Sequence, residues 1–326
     1  MIKAEHHILI TGAAGFIGSC MALHLQRLGY HNLLLMDDFS REDKRPNHEP
    51  VEALERIERA DWDAWAKRRP APDWIIHLGA RTDTTEMNAE IHRVLNLEFS
   101  QKVWTYCSER QIPLLYASSA ATYGDGALGY SDNHELPFQL KPLNPYGESK
   151  NDFDRWALRQ EKTPPHWYGL KFFNVFGPNE YHKGRMASVV FHAFRQIRET
   201  GALKLFRSHR PDYGDGEQRR DFIYIKDLLN LMDWFLHHTP ASGLYNAGTG
   251  KASSFNELAA AIFDAMDKPV RLQYIDTPAD IREKYQYFTE ADMAKVKAAG
   301  YGTPFHTLQH SVADYVRQYL ETGAHY

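Results

Sequence analysis

The chain has 326 residues, 43% hydrophobic and 25% charged, and 38 Lys and Arg against 42 Asp and Glu leave a formal net charge of −4. Such a chain buries a sizeable core without disulfide or metal staples, and two cysteines, Cys20 and Cys107, exclude a disulfide-rich secreted scaffold. The missing basic excess argues against a dedicated nucleic-acid binder, and no apolar run reaches the roughly 18 residues of a membrane span.

In chain order, His7–Thr11 reads as a strand, Ile17–Leu28 as a helix and Asn32–Met36 as a strand ending at Asp37. Trp74–His77 is a strand, Val94–Arg110 a helix and Leu114–Ala117 a strand closing on Ser118 and Ser119. Asp152–Gln160 continues a helix and Trp167–Phe173 returns as a strand. Apolar strands joined by helical crossovers predict a Rossmann-type α/β fold, a doubly wound parallel sheet covered on both faces. Further on, Ala187–Thr200 is helical, Lys204–Phe206 a short strand and His209–Arg219 a polar loop with Pro211, Gly214 and Gly216. Phe222–Ile225 is a strand, Asp227–His237 a helix, and Ser254–Met266 a helix with Ser253 or Ser254 as N-cap. No linker separates two halves. A dinucleotide-binding unit is therefore expected over 1–172, joined by about 222–249 and the C-terminal helix, with a smaller interleaved substrate-binding unit over 173–221 and 250–299. The first residues show no signal-peptide h-region, which makes the cytoplasm the expected location.

Gly12, Gly15 and Gly18 lie between the first strand and first helix. Such glycines supply a tight turn, a close approach to pyrophosphate and close helix–strand packing, while the helix N-terminus offers free N–H groups to phosphate. Asp37 or Asp38 is placed to accept the adenosine ribose hydroxyls, which favours NAD. Arg41, Lys44 and Arg45 follow at once and suit a 2′-phosphate, which favours NADP. Gly79-Ala80-Arg81 is the next loop to pass over the cofactor.

Tyr146 and Lys150 stand at i and i+4, on one face of a helix. A free tyrosine, with a pKa of about 10, is a poor base at neutral pH, but a nearby ammonium favours its phenolate. Tyr146 then takes a proton from a sugar hydroxyl while Lys150 hydrogen-bonds the nicotinamide ribose, and Ser119 hydrogen-bonds the reacting oxygen.

With these motifs in place, the chain resembles the extended short-chain dehydrogenase/reductases that act on nucleotide sugars. The resemblance is carried by Thr11–Gly18, Tyr116–Gly124, Asn144–Lys150, Lys171–Pro178 and Arg220–Tyr224. A narrower likeness, in His182-Lys183-Gly184-Arg185-Met186-Ala187-Ser188-Val189 and in Lys284–Asp292, is to the branch that inverts C6 of an ADP-linked heptose with bound NADP. It implies Tyr146 and Lys183 as the two bases, assisted by Ser119 and Lys150. The cofactor is expected at Gly12, Gly15, Phe16, Ile17, Gly18, Asp37, Asp38, Lys44, Leu78, Gly79, Ala80, Arg81, Asn96, Tyr146, Lys150, Val175 and Lys183. The substrate is expected at Asn174, Arg185, His192, Phe206, Arg207, Ser208, His209, Arg220 and Tyr285. The same likeness implies a homo-oligomer, a pentamer, and an ADP-heptose substrate. A 4-epimerase or a 4,6-dehydratase is the neighbouring alternative. Elimination, however, normally needs an acid–base pair where Ala120 and Ala121 follow Ser119.

Overall fold

The first strand, β1 (Ile8–Thr11), alternates its side chains between two hydrophobic layers. Ile8 and Ile10 enter one core, with Leu33, Leu35, Ile76 and Leu115, while Leu9 enters the other, with Met36, Ile75, Leu114 and Tyr116. Both faces of this strand are dry, as a parallel sheet covered by helices requires. The computed structural model describes residues 1–68, 71–278, 282 and 286–326. Around β1 it builds a seven-stranded sheet with β2 (Leu33–Asp37), β3 (Glu55–Glu58), β4 (Trp74–His77), β5 (Leu114–Ser119), β6 (Trp167–Phe172) and Gly243–Ala247. The spatial order is Gly243–Ala247, β6, β5, β4, β1, β2, β3, and every pairing is parallel. The chain thus winds outward from β1 in one direction and then in the other. The crevice between the carboxyl ends of β1 and β4 is the switch point at which such sheets bind ligands.

Two strands of this sheet lie outside the predicted set. β3 reads Glu-Arg-Ile-Glu, an edge strand that buries only Ile57, so no apolar run announces it. Gly243–Ala247 is fully buried, but Leu244 and Tyr245 between glycine, asparagine and alanine make too short an apolar run to signal a strand. The helix expected over Val94–Arg110 opens as a π-turn, Arg93–Glu98, before continuing as an α-helix, Phe99–Arg110. Ser254 caps the Phe255–Ala265 helix in a reciprocal capping box with Glu257, which satisfies two terminal N–H groups.

Beyond β6 the chain leaves the sheet. Asn174–Phe176 pairs with Phe222–Tyr224, Leu203–Phe206 with Leu272–Ile275, and Arg219–Arg220 with Ser253–Ser254. Cys20 and Cys107 are buried as free thiols in different core layers. No helix of the described residues is long and apolar enough to cross a membrane.

Candidate active site

A cavity of about 620 Å³ opens over the carboxyl ends of β1 and β4. Its floor is the glycine turn. Gly12 has φ +71°, and a Cβ there would lie 2.6 Å from the amide nitrogen of Gly79. A Cβ on Gly18 would lie 2.1 Å from the carbonyl oxygen of Gly12, so side chains at these two points would push the turn, the first helix and the β4 loop apart. The first helix, α1 (Phe16–Arg27), starts with no side-chain cap and no acidic residue in its first turn. Phe16, Ile17 and Gly18 line the cavity, so the unsatisfied N–H groups and positive dipole end remain available to a phosphate there. Beneath the turn, Thr11 Oγ1 lies 2.6 Å from His77 Nδ1, His77 Nε2 lies 2.9 Å from Ser100 Oγ, and the Gly79 amide donates to Thr11 Oγ1 at 3.2 Å. Burial drives the His77 pKa down to about 3, so this ring stays neutral, giving one proton and accepting one.

At the far end, Asp37 closes β2 and also lines the cavity. Its carboxylate accepts the amides of Ala14 at 2.9 Å and Asp38 at 2.7 Å, and pairs with Lys44 Nζ at 3.1 Å. Asp38 turns instead to the amide and hydroxyl of Ser40 and is not among the lining residues. Arg41, Lys44 and Arg59 do line this end, whereas Arg45 faces Glu42 and Glu49 at the surface. His182 joins them. It lies 3.2 Å from the Asn47 amide, and burial lowers its pKa to about 4. The motif containing His182 was singled out in the sequence, but nothing there tied the ring to this end. Arg59 was missed because it follows the unrecognised edge strand.

The chemical end is assembled from three segments. Ser119 is the last residue of β5, and its Oγ accepts the Ala121 amide at 3.1 Å. Asn144 caps the Pro145–Leu158 helix by accepting the Gly147 amide at 2.9 Å, with Pro145 at the first helical position. A Cβ on Gly147 would lie 2.7 Å from the Ala121 carbonyl oxygen, so this glycine lets the helix close on the turn after Ser119. Tyr146 is thereby brought to Ser119: burial pushes its phenol up, and the hydrogen bond from Ser119 pulls it back. One turn on, Lys150 is buried and donates to the Ala117 carbonyl at 2.8 Å. Burial lowers its pKa to about 8, against the opposing pull of Asp154. Lys183 comes from the turn Tyr181–Met186, with its Nζ 5.4 Å from the centre of the Phe16 ring. Burial lowers its pKa as well, opposed by Glu180.

Most of the predicted cofactor residues converge here: Gly12, Gly15, Phe16, Ile17, Gly18, Asp37, Lys44, Leu78, Gly79, Ala80, Arg81, Tyr146, Lys150, Val175 and Lys183 all line the cavity. Asn96 does not. Its side chain accepts the Arg81 amide at 2.7 Å and donates to the Arg81 carbonyl at 3.1 Å, so it pins the loop that does.

Of the predicted substrate residues, Asn174 lines the cavity. Arg185 hydrogen-bonds Thr85 and lies 3.7 Å from Asp83 at its edge. His192 is exposed on the Val189–Thr200 helix. The segments Phe206–His209 and Arg219–Arg220, nine residues apart in sequence, meet around the remote Tyr287. The His209 amide donates to the Tyr287 hydroxyl at 3.0 Å, the Arg219 amide donates to the Tyr287 carbonyl at 2.8 Å, and Arg220 donates to the Gln286 carbonyl. Ser208 Oγ donates to the Arg210 carbonyl at 2.9 Å, and Arg207 lies 3.9 Å from Asp215 and Asp276. Gln286 in turn donates to the Gly124 carbonyl, which ties this cluster to the turn after Ser119. Tyr285 lies outside the described residues.

The glycine turn and the uncapped helix fit a dinucleotide, and the Ser–Tyr–Lys set beyond them fits a secondary alcohol. Comparison with known proteins agrees. A curated protein of Fusobacterium nucleatum named ADP-L-glycero-D-manno-heptose-6-epimerase is 44% identical over 96% of this chain and 98% of its own. One of the same name from Nitratidesulfovibrio vulgaris is 44% identical over 96% and 97%. The crystal structure of the Helicobacter pylori protein of that name superposes with a TM-score of 0.81 at 27% identity, covering 97% of this chain and 96% of that one. The model of the NAD dependent epimerase/dehydratase family matches residues 8–248, the stretch that runs from β1 through the last strand of the sheet, and to that family the chain belongs.

Proposed function

We propose that this protein inverts C6 of the heptose in ADP-D-glycero-D-manno-heptose, through a transient 6-ketone, with a nicotinamide dinucleotide held in the cavity. The observation that carries the reading is that two basic side chains from separate segments, Tyr146 and Lys183, line one cavity together with Ser119. When bound, the nicotinamide supplies the hydride chemistry that oxidises the carbinol and reduces the ketone. The protein's residues handle the proton and the geometry. Ser119 Oγ hydrogen-bonds the reacting oxygen, and Tyr146 Oη takes its proton. The buried ammonium of Lys150 favours the phenolate electrostatically. Inversion requires the ketone to present its other face. The C6 carbinol lies on an exocyclic arm that reorients about a bond, so a base suited to one pose serves the other poorly. Lys183 Nζ is the proton carrier for the second pose, and its lowered pKa suits that exchange.

The cofactor in this reading is NADP. Lys44 already neutralises Asp37, and Arg59 adds charge-assisted donors for a 2′-phosphate beside Arg41, whose guanidinium also bonds Asp43. Residues 1–172, about 222–249 and the C-terminal helix hold the cofactor, supported by Gly243–Ala247 joining the main sheet. Residues 173–221 and 250–299 cover the substrate. A cytoplasmic homo-oligomer completes the reading. The test is mass spectrometry of the cofactor released from the purified protein, followed by an epimer assay with ADP- and UDP-sugars. Turnover of UDP-glucose with none of ADP-heptose would overturn the assignment.

A further inference from the structure

Below Ser119 lies a buried polar network that the reaction as described does not use. Asp154 stands one turn beyond Lys150 on the same helix face and is fully buried. Its Oδ2 accepts Lys171 Nζ at 2.6 Å and Ser118 Oγ at 2.6 Å, and its Oδ1 accepts the Tyr116 hydroxyl at 3.1 Å. Lys171, on β6 directly opposite Ser118 of β5, is also buried, with a side chain 1% exposed. Its ammonium donates a second bond to Thr122 Oγ1 at 2.9 Å, and Thr122 Oγ1 donates to the Ser119 carbonyl at 2.7 Å. A Cβ on Gly169 would lie 2.3 Å from the Tyr116 hydroxyl, so β6 carries no side chain where that phenol passes to reach Asp154.

A buried ion pair contributes little net stability compared with apolar side chains of the same volume, because desolvating both charges offsets their attraction. Sheet packing alone therefore does not account for this one. What it does is fix the end of β5 from below at two points, Ser118 directly and Ser119 through Thr122. Its carboxylate also stands one turn from the catalytic ammonium. We propose that Asp154 and Lys171 are positioning residues for the proton-transfer site: the pair holds Ser119 in register with Tyr146. The inference rests on the reading that Ser119 and Tyr146 carry the proton transfer.

The test compares Lys171→Met, Lys171→Arg and the double variant Asp154→Leu/Lys171→Met, each assayed per folded, cofactor-loaded subunit. A misplacement of about 1 Å costs on the order of 10²-fold in rate, so Lys171→Met and the double variant should lose about that much kcat, with KM and cofactor content unchanged. Lys171→Arg, which keeps the charge and both donations, should recover most of the loss. A purely structural pair would lower the melting temperature and leave kcat per folded subunit untouched, and that result would overturn the inference. If Lys171→Met does not fold, the double variant decides, because it leaves no buried charge without its partner. A folded double variant with full kcat refutes the positioning role, and a folded, slow one supports it. Failure of the wild type to oxidise any nucleotide sugar would instead count against the proposed function.

Discussion

Replacing Gly18 by alanine sets two effects against each other. Gly18 lies inside α1, where alanine improves helix propensity by about 1 kcal/mol. The new Cβ would meet the Gly12 carbonyl oxygen at 2.1 Å and the Gly12 carbonyl carbon at 2.7 Å. Non-bonded contacts of this kind do not close below about 3 Å, so the helix start and the glycine turn must part by about 0.9 Å. Both are backbone, and the turn is already closed against Gly79, so neither yields as a side chain would. Overpacking of this kind costs typically 1–3 kcal/mol, which matches or exceeds the propensity gain. The larger effect falls on the cofactor. An opening of about 0.9 Å stretches N–H to phosphate bonds beyond useful length, and each charge-assisted bond lost removes about 1.5–3 kcal/mol. The expected outcome is a folded protein that purifies with little cofactor and binds added NADP about 10²-fold more weakly, measured by titration calorimetry. An alanine variant with full cofactor and a raised melting temperature would mean that helix propensity wins and that the close-approach reasoning is wrong.

Other outcomes follow from the same geometry. Tyr146→Phe and Lys183→Met should each abolish net inversion. Full inversion by Lys183→Met, read by chromatography of the epimers, would remove the second base. Lys44→Ala should weaken NADP binding about tenfold or more while leaving NAD binding nearly unchanged; equal loss for both would place Lys44 away from the 2′-phosphate. His77 titrates near 3 when folded and at about 6.5 when unfolded. The unfolded chain therefore takes up its proton first as pH falls. The stabilisation from this group is complete above about 6.5 and is lost toward 3, at about 1.4 kcal/mol per pH unit. His77→Gln, which keeps a donor and an acceptor without titrating there, should show a shallower loss of urea stability over that range. An unchanged slope would contradict the neutral ring.

Residues whose chemistry needs a fixed backbone context were legible in the sequence. Gly12, Gly15 and Gly18 between a strand and a helix, Tyr146 and Lys150 one helical turn apart, and Ser119 at a strand end all line the cavity. Residues that act through the fold were not. Asp154 and Lys171 are 17 positions apart, and only the opposed register of β5 and β6 makes them one unit with Ser118. Arg59 reaches the Asp37 end of the cavity because an edge strand with a single buried residue precedes it, a pattern that periodicity does not register. Asn96 is buried behind the loop and does not line the cavity, because its amide matches the two backbone groups of Arg81. Basic residues of the expected substrate-binding unit stand beside acids of the same unit: Arg207 near Asp215 and Asp276, Arg210 with Asp212, and Arg219 with Glu257. Charge counted along a chain does not show such local neutralisation.

In the proposed reaction one hydride leaves C6 and returns to its other face. The decisive measurement uses ADP-D-glycero-D-manno-heptose carrying deuterium at C6, incubated with the purified holoenzyme in ordinary water and followed by NMR and mass spectrometry. Inversion by this route yields an equilibrium mixture of the two C6 epimers with the deuterium retained at C6 in both. No second epimer, or an epimer whose label has washed out into solvent, would contradict it.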